Sequence, residues 1–554
     1  MIKKILILSF LFAFIPSFAG AMPAKDGQLI KAGISDNGFS NFYYKQIETS
    51  ATEGFDVTDK ATGQIIGEYP ANTVLTVILK DGLFDVYVSG KETAAKLKGP
   101  VVMNSEKGFL YIPNLKRANK QAIYRGVFEF TKSPTKENTF SVVNVLDIES
   151  YLRGVVPNEM PVSFGLEALK AQAVAARNYV LKPREKNYHN FDVGDSVASQ
   201  VYFGAGTEQD LSDKAIVETE DIVAMYNGEL ILALYSSTAG GHSENYENVF
   251  ADCNSKNFNT AAIPYLKGVP DNNNVPRLET EGDVKNFYLS TPTTFDNKSP
   301  YFRWTREWTP EELEEVLQKT LKSCSNTCYV RPSFNEGDKI GKIQDIRVLR
   351  RGVSGKIMVM EIITNKGSDK NAYVLQKELI IRQIFKKDNK NLPSANVVFD
   401  FERDEKDNLK KITAIGGGFG HGVGMSQFGA GMMGAMGYSY DEILKHYYSG
   451  IEITTNPVVL STELNQDTAS ISFYTRKKKT TLVVENKFHF SDLIMVINSK
   501  ELRFSMSPQP FKPYRFDISS HVKQGKNNVV LVLPQKDNFK KSVRLYLELN
   551  GTGK

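Results

Sequence analysis

Residues Val155–Leu181, VVPNEMPVSFGLEALKAQAVAARNYVL, decide how the rest of the chain is read. Up to Pro161 the pattern is that of a turn. Beyond it the apolar residues fall at helical spacing until Pro183 stops them. On a helical wheel Leu169, Ala173, Ala176 and Val180 form one stripe, and Lys170 and Arg177, seven residues apart, lie in register on its flank. Alanines leave little bulk, so neighbouring backbone can approach closely, as a helix near the centre of a domain requires. On the residues alone, the two cations fit either a solvated edge with ordinary ion pairs or a charged face toward a ligand. Glu159 stands between Asn158 and a Met-Pro turn at the mouth of this helix.

Upstream, from about Asp26 to Ser150, short alternating strands are broken by Gly, Pro and Asn, as in NTVLTVILKDGLFDVYVSG and FSVVNVLDIESYL. Downstream, ELILALYSSTAGGHSENYENVF reads as strand. WTPEELEEVLQKTLK reads as a helix with Thr309 as N-cap, Pro310 at the first position and Glu312 closing a capping box. Asn272 to Ser299, rich in Asn, Thr and Pro, reads as either a lid or an insertion. Gly416–Gly437, GGGFGHGVGMSQFGAGMMGAMG, holds ten glycines in 22 residues, yet the interleaved His421, Met425, Gln427 and Phe428 set it apart from a flexible linker. It lacks the pattern of a phosphate loop. From about Thr462, period-2 strands with turn signals predict a C-terminal β-sandwich of roughly 90 residues. The expected fold class is α+β: a mainly β core with a central alanine-rich helix and glycine-rich cleft loops, followed by that sandwich.

The 554 residues, 41% hydrophobic and 24% charged, are of globular composition and long enough for several domains. The chain opens with Lys3 and Lys4, an apolar run from Ile5 to Ile15 and Ala19-Gly20-Ala21, the pattern of a signal peptide cut near Ala21. The run is too short to span a bilayer, and the expectation is an extracytoplasmic protein with no stable membrane span after cleavage. A net charge of +5 without a basic stripe argues against nucleic acid and is compatible with an anionic wall polymer. Of Cys253, Cys324 and Cys328, the last two are spaced for a small loop disulfide, leaving one cysteine buried or free. No C-x-x-C or H-x-x-x-H pair supports a metal site, and neither metal nor cofactor is expected.

Three segments together resemble the SpoIID/LytB family of cell-wall proteins, the stage II sporulation protein D and amidase-enhancer group. They are Tyr151 to Leu181, Leu234 to Phe250 and Gly416 to Gly450, with DSVASQVYFG and PYLKGVPD in order between them. The resemblance covers roughly Val142 to Ile453. It implies a domain over 141–457 between a β-rich region (22–140) and the sandwich (462–554). By the resemblance, the sporulation members being lytic transglycosylases of peptidoglycan, Glu159 is the catalytic acid/base. Lys170, Arg177, His421, Met425 and Gln427 line the same groove, with a structural role stitching loops together equally open for His421, and Asn158 either orients the carboxyl or serves only the local turn before the helix. The amidase-enhancer branch implies the alternative: a non-enzymatic peptidoglycan binder with a cell-wall amidase as partner. Two departures stand out. Ser236 occupies a position where the family usually has His, with no cysteine in that loop and His242 alone nearby, so the zinc site of some sporulation members is not expected. Phe164 replaces a more usual Trp. FDISSHVKQGKNNVVLVL is also similar to a phrase of carbohydrate-binding jelly-roll modules, the alternative being a sandwich that only packs or binds protein.

Overall fold

A computed structural model describes residues 29–548 apart from positions 183–187, 251–259, 273–274, 277, 279, 326, 367–368, 456–457, 461–467, 476–479, 487–491, 506–513, 524 and 533–542. The expected signal peptide and Cys253 lie outside the described residues. The fold is α+β and mainly strand.

Two sheets form the N-terminal part. One runs, in spatial order, Val193–Gly194, Leu29–Gly33, Phe140–Asp147, Val127–Lys132, Val101–Asn104, Phe55–Asp59 and Gln64–Tyr69. The other runs Lys120–Tyr124, Leu110–Arg117, Gln46–Ala51, Leu75–Lys80, Leu83–Val88 and Lys91–Leu97. Leu75–Lys80 alternates buried and half-buried residues, as a strand with one face on a core must. The sheets meet face to face, Phe84 of the second packing edge-on against Phe140 of the first at 5.6 Å.

Phe140–Asp147 is buried along its whole length. Val143 and Val145 pack under Phe191 on the face away from Phe84. FSVVNVLDIESYL therefore changes character at its middle. Asp147 accepts the Ser150 N–H as an N-cap and starts the helix Ile148–Arg153. The chain then passes through the short helix Val156–Glu159 into the alanine-rich helix Leu166–Leu181, whose Ala168 to Asn178 are buried except Lys170. One hydrophobic core joins the N-terminal strands, this helix and the closing segment Val423–Ile451.

A second core lies between Trp304 and Ala414. It is built on the sheet Val330–Arg331, Asp369–Gln376, Ile357–Lys366, Lys342–Arg351 and on the strands Trp304–Trp308, Leu409–Gly416 and Val397–Arg403. Its helix Pro310–Cys324 begins with the predicted capping box of Thr309 and Glu312. Cys324 is buried and free while Cys328 is disulfide-bonded, so the short-loop pairing expected between them does not form. Cys324 faces inward with Leu321 and Leu317, where a thiol behaves as a small apolar side chain.

The chain returns to the first core where Met425–Ser426 pairs in parallel with Tyr235–Ser236. Its continuation, Gln427–Ala435, is a helix although its glycines read as loop. A Cβ at Gly431 would lie 2.8 Å from the Phe164 ring, and one at Gly434 would lie 3.4 Å from the Ala168 nitrogen. Close packing on the alanine-rich helix outweighs the helix penalty of glycine, about 1 kcal/mol per residue. The segment Asn272 to Ser299 contains the capped helix Glu281–Leu289 and is pinned rather than lid-like, the buried Asp296 accepting from the Gly240 N–H at 2.7 Å.

C-terminal strands form two four-stranded antiparallel sheets among the described residues: Val458–Leu460, Val543–Glu548, Thr481–Asn486, Tyr514–Asp517, and Thr468–Thr475, Gly525–Val532, Asp492–Ile497, Lys500–Ser505. No helix among the described residues is long and apolar enough to cross a membrane.

Candidate active site

Glu159 ends the short helix Val156–Glu159 and is half-buried. The Val201 N–H donates to its Oε1 at 2.7 Å. The Tyr235 hydroxyl and the Gln427 carboxamide lie beside the carboxyl and favour its charged form. Burial pushes the Glu159 carboxyl up to about 7, and these three donors, which favour the anion, keep it from rising further. A carboxyl placed so is close to half-protonated at neutral pH and can give and take a proton in one cycle.

The donors are themselves fixed. Gln427 Nε2 donates to the Glu159 carbonyl at 2.7 Å and to Gln172 Oε1 at 3.2 Å, tying the glycine-rich helix to the short helix and to the alanine-rich one. Gln200 Nε2 donates to the Tyr235 hydroxyl and to the Ala176 carbonyl, while its Oε1 accepts from Tyr151. The loop that carries Gln200 and Val201 is anchored at its start by Asp195. Arg117 of the N-terminal strands meets that carboxylate at 2.6 Å, both side chains wholly buried, and Ser35 Oγ donates to its other oxygen at 2.6 Å. Tyr202, just beyond, donates to Asn144 at 2.6 Å. The N-terminal sheets thus hold the backbone that touches Glu159.

The structure brings Glu159 and Gln427 together, and separates the other expected residues from that carboxyl. Asn158 turns away and donates to the Gly154 carbonyl and to Thr207 Oγ1, which fixes the short helix onto the turn at 205–207 rather than orienting the carboxyl. Arg177 is 1% exposed; its guanidinium grips Glu149 through two hydrogen bonds of 2.6 and 2.8 Å and donates to the Ile222 carbonyl. Lys170 reaches Glu167 and Glu218, each at 2.8 Å. Gln172, which meets Gln427, lies about 200° round the helix from Lys170, so the two cations face the opposite side from the Glu159 contacts. On that side they pair with Glu167, Glu218 and Glu149.

Met425 is fully buried in the core, its N–H bonded to the Leu234 carbonyl. His421 accepts the Val423 N–H at Nδ1 and hydrogen-bonds the Tyr235 backbone. Burial, reinforced by Lys356, pushes its imidazole down to about 3, so it is a neutral stitch in the loop. Ser236 accepts from the Gly422 N–H, and His242 Nδ1 lies 2.6 Å from the Ser243 carbonyl. Phe164 meets Phe428 edge-on at 4.9 Å.

Tyr235, Gln200 and Val201 have no role in the sequence reading. DSVASQVYFG stands in it only as part of a resemblance, and LYSSTAGGHSENYENVF also as strand, of which the structure keeps Tyr235–Ser236.

A family model described as SpoIID, Stage II sporulation protein, matches residues 136–226, and one described as a domain of unknown function (DUF8618) matches residues 252–424. The chain is 31% identical over 330 residues to the stage II sporulation protein D of Bacillus subtilis (strain 168), covering 57% of this chain and 76% of the relative. It is 30% identical over 346 residues to the protein of that name from Bacillus amyloliquefaciens, covering 59% and 79%. The chain belongs to the SpoIID/LytB family. It is also 32% identical over 308 residues to the amidase enhancer of Bacillus subtilis (strain 168), a match that spans 55% of this chain and 40% of the relative. As a SpoIID/LytB member, its matched SpoIID segment contains Glu159, Gln200 and Val201, whereas Tyr235 and Gln427 fall outside both matched segments.

One consequence of the site is directly measurable. In a carbon-13 NMR titration of glutamate-labelled protein, the Glu159 carboxyl, assigned by its loss in Glu159→Gln, is expected to show a midpoint about 7. An ordinary carboxylate midpoint, roughly 4.3, would contradict the burial described.

Proposed function

We propose that this protein is an exported peptidoglycan lytic transglycosylase that cleaves MurNAc–GlcNAc bonds of glycan strands, including strands stripped of stem peptides, with Glu159 as its single acid/base. The observation that carries the reading is the half-buried Glu159 carboxyl, pushed up to about 7, whose neighbours among the described residues are the Val201 amide, a phenol and a carboxamide, with no second carboxylate among the groups that shift it. Most hydrolases of glycosidic bonds use two carboxylates, the second to attack the sugar or to activate water. With one, the nucleophile comes from the substrate.

In the proposed step, protonated Glu159 gives its proton to the glycosidic oxygen as the bond from that oxygen to the MurNAc anomeric carbon breaks. The C6 hydroxyl of the same MurNAc forms a new bond to that carbon, closing a 1,6-anhydro ring. Its proton passes to the Glu159 carboxylate, which restores the acid; water is not consumed. The Val201 N–H and the Tyr235 hydroxyl stabilise the carboxylate in the interval, and Gln200, donating to the Tyr235 oxygen, sharpens that hydroxyl as a donor. The signal-like leader and the slight positive charge support action at the cell wall outside the cytoplasm.

The second reading is a non-enzymatic peptidoglycan binder that stimulates an N-acetylmuramoyl-L-alanine amidase, and the match to an amidase enhancer favours it. Mass spectrometry of intact and amidase-stripped peptidoglycan after incubation with the purified protein separates the two. Anhydro-ended sugars from either preparation are the expected product. Binding to glycan without any cleaved ends, together with stimulation of an amidase, would replace the first reading by the second.

A further inference from the structure

We infer that Tyr301 and Phe419 form an aromatic platform that binds a sugar residue of the glycan strand, a remote subsite of the Glu159 cleft; the inference rests on the peptidoglycan reading. The two rings stack on each other, centroids 4.4 Å apart and planes 18° apart, and remain 37% and 39% exposed. Each ring covers one face of the other, and what the pair leaves exposed is an aromatic surface that a ligand gains by covering.

Their mounting ties them to the Glu159 site. Phe419 pairs with Thr238 through backbone hydrogen bonds in both directions, 2.9 and 3.2 Å. Thr238 is three residues beyond Tyr235, whose hydroxyl lies beside Glu159, and past a bend at Ser237 the two residues are at most about 10 Å apart along the chain. Tyr301 is held from the other side: its N–H donates to Ser299 Oγ at 3.1 Å, its carbonyl accepts the Gly418 N–H at 2.8 Å, and Ser299 Oγ meets Thr238 Oγ1 at 2.6 Å. Every part of the platform is fixed to the strand segment that carries Tyr235, which is the rigidity a preorganised subsite requires.

The chemistry selects the occupant. A pyranose presents an apolar face of C–H bonds to a ring and hydroxyls around its edge, and half-buried Ser237 beside Thr238 (Oγ to Oγ1, 3.3 Å) supplies a polar partner for that edge. A protein partner would need about 800 Å² of surface on this side, far beyond two rings. A polymer substrate gains from such a contact, because binding energy away from the scissile bond positions the reacting sugar.

The test is isothermal titration of the full-length chain carrying Glu159→Gln, which blocks turnover, with chitohexaose and with amidase-stripped glycan strands. Tyr301→Ala and Phe419→Ala in that background are expected to weaken binding about tenfold or more. Tyr301→Phe keeps the ring and is expected to bind as the parent does. Tyr301→Ala leaves the glycine-rich segment unaltered, and an unchanged thermal melt shows that it folds. Equal affinity in parent and both alanine variants would overturn the platform while leaving the Glu159 reading intact. Absence of glycan binding by the parent would remove both. Unchanged glycan affinity with lost stimulation of an amidase would make the rings a protein-docking point, against the inference.

Discussion

Glu159→Gln is expected to lower the formation of anhydro-ended sugars by about 10²–10⁴-fold, the usual contribution of a positioned acid/base. Glutamine keeps an oxygen that can accept from the Val201 N–H and from Tyr235, so the site remains built while its transferable proton is gone. The same substitution is expected to alter stability with a definite sign. A carboxyl raised to about 7 binds its proton more tightly folded than unfolded, so the wild type loses stability as pH rises from the ordinary range of about 4.5 through 7. The variant has no such loss. Its stability relative to wild type should therefore grow by roughly 3 kcal/mol between about pH 4 and pH 8, measured by urea unfolding. Equal pH dependence in both proteins would show that Glu159 titrates as a solvated carboxylate.

The largest structural effect is expected at Arg177. Burial pushes the Glu149 carboxyl up, and the guanidinium that grips it pulls it back. Arg177→Met leaves that carboxyl buried without its partner, at a cost of about 3–5 kcal/mol. The double variant Glu149→Gln with Arg177→Met removes the unpaired charge and is expected to recover a substantial part of the loss. A single variant within about 0.5 kcal/mol of wild type would return Arg177 to the groove-lining role that the resemblance implies.

Local signals were legible where local physics decides. Thr309, Pro310 and Glu312 spell a capping box within four residues, and the structure contains it. Alternation in LTVILK and the alanine spacing of Leu166–Leu181 likewise depend on near neighbours. Glu159 stood out because a whole motif surrounds it. Tyr235 and Gln200 did not, since the approach of Tyr235 to Glu159 and the bond from Gln200 to Tyr235 arise only when distant segments close, and a tyrosine or glutamine beside apolar residues reads as ordinary core or surface. Arg177 shows the same limit from the other side: a cation flanked by alanines looks the same whether it faces a ligand or a buried Glu149 from 28 residues upstream. The segment Gln427–Ala435 reads as loop, and its helix depends on packing against Phe164 and Ala168, which no local propensity reports.

The measurement that bears most directly on a single-carboxylate transglycosylase is digestion of amidase-stripped glycan strands in water enriched in oxygen-18, with mass analysis of the new ends. The account predicts anhydro-ended sugars carrying no heavy oxygen, formed by the wild type and lost in Glu159→Gln. New reducing ends that carry the label would show that water is the nucleophile, and would contradict it.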